Sequence, residues 1–148
     1  MPPNRSGPDR SNLDNQLCFA LYAASNAITR LYRPLLNELG LTYPQYLVIL
    51  VLAEEGRSTA GRIARRLDLA ANAITPLLDR MDASGLVRRG RDGTDRRRVH
   101  VELTERGMEV EASFGAVQQA VACGTGLDDD QIATLRGELR ALAERAGG

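Results

Sequence analysis

The 148-residue sequence contains no tryptophan and no lysine, and it has a single histidine and two cysteines. All nineteen basic residues are therefore arginines, whose planar guanidinium group suits phosphates and the edge of guanine. His100 lies on a predicted strand, far in sequence from Cys18, so a metal centre built on imidazole and thiolate ligands is poorly supported. We expect no metal and no cofactor.

Long hydrophobic segments are also missing. The longest wholly apolar run, Leu47–Ala53, is too short to cross a membrane. Residues 1–11 have no apolar core of the kind that a secretory signal needs, and we expect them to form a disordered tail. Cys18 and Cys123 are too few and too far apart for the disulfide framework of a small secreted domain, so they indicate a reducing cytoplasm.

The charge is zero overall but unevenly distributed along the chain. Residues 57–98 contain eleven arginines and five aspartates, a net charge of +6, whereas the rest of the chain carries −6. A basic middle between acidic flanks predicts a local surface for a polyanion. A solvated face explains many such clusters equally well, so charge alone decides little.

The N-terminal half of the chain has the periodicity of helices. Apolar residues at steps of three and four predict a long amphipathic helix over residues 13–39, with a seam like that of a coiled coil. Pro34 should kink this helix or divide it in two, and Gly40 should end it. Thr42 is placed to cap a second helix over residues 43–55.

Two short helices should follow. Ser58 or Thr59 can cap a third helix over about 60–67, and a fourth runs over about 72–84. Pro76 argues against a much earlier start of the fourth helix, because proline is tolerated without a kink only in a helix's first turn.

The C-terminal half begins with a hairpin. Segments 86–91 and 97–103 flank an Asp-Gly-Thr-Asp turn, and the second segment alternates apolar and polar residues as a strand does. A fifth helix is expected from Thr104 to about Ala122. A sixth starts near residue 128, where three consecutive aspartates suit the positive end of a helix dipole.

This order of elements predicts a mainly α fold with a small β-hairpin, a winged helix-turn-helix over residues 43–103. The basic segment lies on it. Residues 12–42 and 104–148 carry apolar seams that so small a winged helix does not need for its own core. Within a single domain, residues 12–148, we therefore expect them to form dimerisation helices that pair with a second chain. Two DNA-reading units related by a twofold axis imply a palindromic operator in double-stranded DNA.

The fourth helix predicts the DNA contacts. Its apolar face leaves one polar stripe outside. Asparagine can pair with adenine and arginine with guanine, threonine or proline can touch a thymine methyl, and arginines beside the hairpin turn suit a minor groove. The candidates are Asn72, Thr75, Pro76, Asp79, Arg80 and Ala83 on the helix, with Arg96 and Arg97 on the hairpin. The other arginines of the basic segment are predicted to be phosphate contacts or solvated charges, in roughly equal parts.

Cys18 lies beside the seam of the first helix, near several tyrosines. Tyr22 is one turn further on, so its hydroxyl can lie on the same face. Tyr32 is about 21 Å along the axis and cannot reach Cys18 of its own chain in an unbroken helix, but it can approach Cys18 of an antiparallel second chain. Tyr43 and Tyr46 could join them. Phenol donors around a thiol favour the thiolate, which attacks peroxides, although a cysteine on an amphipathic helix is more often a packing residue.

The segment LDNQLCFALYAASNAITRLYRPLLNELGLTYPQYLVIL closely resembles the organic hydroperoxide resistance regulator (OhrR) branch of the MarR family. The match is strong over residues 13–52 and looser over 58–107. The resemblance implies a redox-sensing transcriptional regulator, released from DNA when an organic hydroperoxide oxidises Cys18. In this family, tyrosines that match Tyr22, Tyr32 and Tyr43 bind the reactive cysteine, and a wing motif that matches Asp95-Arg96-Arg97 reaches the minor groove. Cys123 is implied as the resolving cysteine, in a disulfide that the resemblance favours between chains.

Two departures from the family pattern stand out. The family commonly begins its recognition helix with Asp-Ser-Gly-Thr, where this chain has Ala70-Ala71-Asn72-Ala73. Ala73 keeps a position that faces DNA, but the hydroxyls are missing at residues 71 and 73, so the family's operator is not assumed. Ala53 replaces a common tryptophan, which affects packing more than chemistry.

Two other functions remain open from the sequence. A MarR-type repressor released by a small phenolic or carboxylate ligand, bound between the dimer and DNA-binding regions, would make Cys18 incidental. A thiol peroxidase would be an enzyme, but it has no use for a basic hairpin, and the sequence has neither a Cys-x-x-Cys motif nor a thioredoxin-like βαβ pattern. We therefore expect a regulator and not an enzyme.

Overall fold

The computed structural model of the protein describes residues 12–91 and 99–147. A short 3-10 helix, Leu13–Asn15, comes first. The other elements are, in chain order, α1 (Leu17–Glu38), α2 (Tyr43–Glu55), β1 (Ser58–Thr59), α3 (Ala60–Arg66), α4 (Ala71–Ala83), β2 (Val87–Arg91), β3 (Val99–Leu103), α5 (Glu105–Glu111), α6 (Phe114–Thr125) and α7 (Asp129–Gly147). The architecture is mainly helical with one small antiparallel sheet, which confirms the predicted fold class.

Pro34 does not divide α1. The helix continues past Pro34 to Glu38, so the predicted division is wrong. Proline has no N–H and leaves the carbonyl of Arg30 without its helical partner, but both residues are exposed, so water can satisfy that carbonyl. Gly40 follows with a φ of 70°, a left-handed conformation that glycine adopts at low cost, and the helix ends as predicted.

The start of α2 is fixed by a reciprocal cap. Thr42 Oγ1 accepts a hydrogen bond from the backbone N–H of Gln45 (3.3 Å), and Gln45 Oε1 accepts one from the N–H of Thr42 (3.0 Å). This capping box satisfies two donors that a helix start would otherwise leave unpaired. The bounds of α2 agree with the prediction.

The helix-turn-helix consists of α3 and α4. Thr59, not Ser58, caps α3, since its hydroxyl accepts from the N–H of Arg62, while Ser58 is buried in β1. Helix α4 begins at Ala71, one residue earlier than predicted, so Pro76 lies in its second turn. Its predicted apolar face is buried as expected, through Ile74, Leu77, Leu78 and Met81.

The sheet has three strands in the order β1-β3-β2. Strands β2 and β3 pair antiparallel from Val87 with Leu103 to Arg91 with Val99, which confirms the hairpin. The turn of the hairpin, residues 92–98, lies outside the described residues, as does the predicted tail at residues 1–11. Strand β1 was not predicted, because two residues are too few to show an alternation.

The predicted fifth helix is two helices. Helix α5 ends at Glu111 and α6 begins at Phe114; the N–H of Ser113 bonds to the carbonyl of Val110, three residues back. The reason for the break is tertiary. Phe114 is 2% exposed and its ring lies 4.7 Å from that of Tyr46, so the break accompanies the burial of this ring.

The hydrophobic core lies beneath the winged helix. It is built from α2, α3, α4 and the sheet, and it is closed by Leu36 from α1 and by Phe114 and Val117 from α6. Among the described residues, no single helix has both the length and the apolar composition to cross a membrane; α1 and α2, bent by 78°, pass that test only when taken together.

Candidate DNA-binding surface and cysteine site

The predicted reading stripe of α4 lies on the protein surface. Asn72, Ala73, Thr75, Pro76, Asp79, Arg80 and Ala83 are all exposed, on the side opposite the buried face. The cap residue Ala70 makes no side-chain hydrogen bond to the helix, in keeping with the missing hydroxyls at this end. The base contacts themselves stay predictions, and the wing residues Asp95, Arg96 and Arg97 lie outside the described residues.

Several arginines of the basic segment form ion pairs within the protein. We had predicted them to be either phosphate contacts or solvated charges, and neither prediction included such pairs. Arg62 Nε lies 2.9 Å from Glu55 Oε2, and Arg66 bridges Glu54 and Glu55 at 2.9 and 2.6 Å. The hydrogen bond from Arg62, helped by Arg66, lowers the pKa of Glu55 to about 2. This network ties the C-terminal end of α2 to α3.

Two neighbouring arginines of β2 face different partners. Arg88 pairs with Glu102 across the sheet at 3.1 Å. Arg89 turns to α4 instead, where it contacts Asp79 at 2.5 Å and Asp82 at 2.9 Å. Asp79, which we predicted to contact a base, therefore forms an ion pair with Arg89 of β2, a strand of the wing (the β2–β3 hairpin). The sequence does carry a signal for this contact, because two aspartates three residues apart lie on the same face of a helix, where one arginine can bind both.

The remaining arginines of this surface stay available to a polyanion. Within residues 12–91 and 99–147, Arg57, Arg65, Arg80 and Arg91 are exposed and have no ion pair. Arg80 is the predicted guanine contact on α4, which makes it the cation most directly presented by the recognition helix.

Both cysteines are free thiols at the surface of the chain. Cys18 lies in the first turn of α1, and Tyr22, one turn on, is 65% exposed. These two residues share a face of the helix but have no cover from their own chain.

The other tyrosines form a cluster further along. The ring of Tyr32 lies 5.1 Å from the rings of both Tyr43 and Tyr46, and Tyr46 accepts a hydrogen bond from Gln118 of α6 at 3.0 Å. Burial, followed by a hydrogen bond with Tyr46, raises the pKa of Tyr32 well above its usual value of 10.0, and burial also raises that of Tyr43. Phenols are protonated near neutral pH already at their usual pKa, and these shifts extend that protonated form further into the alkaline range.

The structure separates Cys18 from Cys123. Cys123 lies on α6 next to Gly124, where an added Cβ would lie 3.2 Å from the side chain of Leu31. Cys123 is therefore level with Leu31 of α1, which is about 20 Å from Cys18 along that helix. A disulfide needs Cα atoms within about 7 Å, so the two thiols cannot join within one chain in this arrangement.

An apolar groove of about 590 Å³ lies between α1 and α7. Its lining is aliphatic apart from one serine: Leu17, Ala20, Leu21, Ala24, Ser25 and Ile28 from α1, with Leu135, Leu139, Leu142, Ala143 and Ala146 from α7. Cys18 is not among the lining residues, but it directly follows Leu17, which is. In the described part of the chain, no group of three or more histidine, cysteine or acidic residues could hold a metal ion.

Comparisons with known proteins agree with the interpretation of α4 and the wing as a DNA-binding surface. A model described as the MarR family matches residues 39–98. The chain is 46% identical over 142 residues to the transcriptional regulator TtmR of Methylorubrum extorquens, covering 91% of this chain and 73% of that protein. It is 46% identical over 99 residues to the organic hydroperoxide resistance transcriptional regulator of Bacillus subtilis, covering 67% of each.

The similar solved structures include one that is bound to DNA. Reduced AbfR of Staphylococcus epidermidis bound to DNA is 36% identical with a TM-score of 0.72, covering 92% of this chain and 95% of that one. AbfR with its disulfide formed is 36% identical with a TM-score of 0.60, covering 90% and 88%. The named relatives are transcriptional regulators and not enzymes, which confirms that prediction.

Proposed function

The chain belongs to the MarR family of DNA-binding transcriptional regulators, and we propose that it is a cytoplasmic, homodimeric repressor that leaves a palindromic operator when an organic hydroperoxide oxidises Cys18. The observation that carries the proposal is the exposed Cys18 thiol, next in the chain to the groove residue Leu17, in a chain 46% identical over 99 residues to an organic hydroperoxide resistance regulator. AbfR, with both a reduced DNA-bound form and a disulfide form, gives further support.

A homodimer accounts for the groove between α1 and α7. Exposed leucines and alanines along two helices are costly in water, at about 25 cal/mol per Å² of apolar surface. A second copy presents the same self-complementary surface across a twofold axis. Such pairing covers Cys18 and Tyr22 and brings the α1 helices together.

The tyrosine cluster fits an arrangement across this dimer. Tyr32 lies about 21 Å along α1 from Cys18 of its own chain, so in a dimer with antiparallel α1 helices the Cys18 that can approach it is the partner chain's. Phenols are protonated at neutral pH, so the O–H groups of Tyr32 and Tyr43 can act as donors. Hydrogen bonds donated to sulfur stabilise the thiolate, the form that attacks peroxide.

The proposed chemistry has two steps. The Cys18 thiolate attacks the peroxide, the O–O bond breaks, and sulfenic acid and an alcohol form after proton transfer. The Cys123 thiol of the other chain then attacks that sulfur, which forms the S–S bond and releases water. The separation of the two cysteines within one chain favours this pairing between chains, and the movement needed to bring them together would reorient the DNA-reading units.

A mobility-shift assay on the DNA that flanks the protein's own gene tests the proposal. Cumene hydroperoxide should release the wild-type protein and dithiothreitol should restore binding, while Cys18→Ser should bind and stay bound at the same peroxide dose. A non-reducing gel should show a covalent dimer in the wild type and none in Cys123→Ser. Release of Cys18→Ser at the wild-type dose would remove Cys18 from the mechanism.

A pocket at the junction of α1 and α2 supports a second candidate function, a MarR-type repressor released by a small phenolic or carboxylate ligand. It has a volume of about 280 Å³ and is lined by Arg33, Thr29, Asn37 and Tyr43 among others. The cation of Arg33 and the hydroxyls of Thr29 and Tyr43 suit a ligand with a carboxylate and a phenol. Under this alternative, salicylate would release DNA equally from wild type and Cys18→Ser, with no covalent dimer.

A further inference from the structure

Arg89 links the wing to the recognition helix. Its Nη1 donates to Asp79 Oδ1 at 2.5 Å and its Nε donates to Asp82 Oδ2 at 3.0 Å, with Nη2 also 2.9 Å from Asp82 Oδ2. The Arg89 side chain is 34% exposed, compared with 64% for Arg88, its neighbour on β2. Arg89 is therefore held along α4 and not extended into solvent.

This contact bears directly on the DNA-facing surface. Asp79 and Asp82 flank Arg80, the exposed cation of α4 that has no ion pair in the described residues. Two carboxylates on that surface would repel phosphate at short range. The single positive charge of the Arg89 guanidinium offsets one of the two negative charges, and its fork geometry binds both carboxylates at once.

Other contacts hold the C-terminal end of α4, close to Asp82. At the C-terminal end, Arg106 Nη1 donates to the carbonyl of Ser84 and Thr104 donates to that of Gly85. At the N-terminal end, Ala70 provides no side-chain cap. Arg89 is thus the ion-pair contact, within the described residues, between the exposed side of α4 and the wing.

We propose that Arg89 is a positioning residue for DNA recognition, which sets α4 against the wing and holds the two carboxylates beside Arg80 while offsetting part of their charge, and that it is not itself a phosphate contact. This inference rests on the DNA binding of the family and not on the oxidation of Cys18, so failure of the redox proposal would leave it standing.

The test compares Arg89→Gln with Arg88→Gln, which removes the same charge from the next residue of the same strand. The probes are a duplex selected from a random pool by the reduced wild-type protein and a scrambled duplex of equal composition. We expect Arg89→Gln to lower affinity for the selected duplex about tenfold or more, because register on DNA is lost. On the scrambled duplex, both variants should lose the same small factor.

Two results would overturn the proposal. In the first, Arg89→Gln loses affinity equally for the selected and the scrambled duplex, and the salt dependence of its affinity falls by about one; Arg89 would then be a phosphate contact. In the second, the ratio of selected to scrambled affinity falls no more in Arg89→Gln than in Arg88→Gln; Arg89 would then have no role in recognition. Thermal melting followed by circular dichroism checks that the variants fold.

A change on the helix side keeps the test decisive if Arg89→Gln does not fold. Asp79→Asn breaks part of the same contact while making the surface more positive. The proposal expects the ratio of selected to scrambled affinity to fall, whereas a freed phosphate contact would raise both affinities alike. The double variant should bind no worse than Arg89→Gln alone, because the two residues act through one contact; independent, multiplying losses would contradict the proposal.

Discussion

Helix α2 buries six of its thirteen residues, whereas α7 buries none of its nineteen and α1 buries only Leu36. The flanking helices nevertheless carry most of the large exposed apolar side chains of the described residues. These are Leu17, Phe19, Tyr22 and Ile28 on α1 and Leu135 and Leu139 on α7, with Leu13, Val99 and Met108 elsewhere. The winged helix thus makes its core within one chain, while large apolar side chains of α1 and α7 stay exposed in the single chain.

The largest expected effect comes from the core of the winged helix. Ile49 is 0% exposed, so Ile49→Ala should lower the free energy of unfolding by about 2–5 kcal/mol through lost burial and a cavity. Urea denaturation at a fixed protein concentration measures it. Met108→Ala is the control, since Met108 is 58% exposed and should lose about 0.5 kcal/mol or less. Equal losses in the two variants would contradict the location of the core.

The flanking helices should respond in their association. Leu139→Asp places a charge in the apolar groove, and we expect the dimer to dissociate into 16.1 kDa chains because an unpaired carboxylate is costly to bury. Ala133→Asp adds the same charge to an exposed position of α7 outside the groove and should stay dimeric. Light scattering after size exclusion gives the masses, and circular dichroism checks the helices. A Leu139→Asp variant that remains dimeric would move the interface elsewhere.

DNA reading should depend on the winged helix without changing association. Arg80→Ala should cost roughly 1–3 kcal/mol of specific binding, with preference relaxed at one position in each half-site, if Arg80 contacts a guanine. Arg66→Ala is the comparison, because Arg66 is bound to Glu54 and Glu55 and should affect specificity less. Affinities on a panel of singly substituted duplexes measure both, and equal specificity profiles for Arg80→Ala and wild type would contradict the assignment.

The junction between the two regions should give the smallest effect. The pKa of Tyr32 is raised in the folded protein, so its contribution to stability is complete below about pH 10 and is lost as pH rises above that value, where only the unfolded chain ionises. Tyr32→Phe should therefore flatten the decline in unfolding free energy above pH 10. Urea denaturation across pH 8–11 measures it. Tyr22→Phe is the control, at an exposed position, and an identical alkaline decline in all three proteins would contradict the cluster's role.

Local signals accounted for most of the elements. Thr42 with Gln45, Gly40, and the apolar face of α4 act through backbone geometry and periodicity, which depend on residues close in sequence. The break between α5 and α6 and the strand β1 could not be predicted this way. Both depend on contacts with distant residues, Phe114 with Tyr46 and Ser58 with Val101.

The sequence by itself determined the family, the winged-helix order and the residues that face outward from α4, because a local pattern and a close resemblance carry that information. Only the tertiary structure decided which charges are already paired and which groups can meet. Arg88 and Arg89 are indistinguishable in the sequence, yet one binds Glu102 across the sheet and the other binds two aspartates of α4. The packing of Gly124 on Leu31 likewise sets Cys123 far from Cys18 in the same chain, since distances between elements depend on how they pack and not on the residues within each.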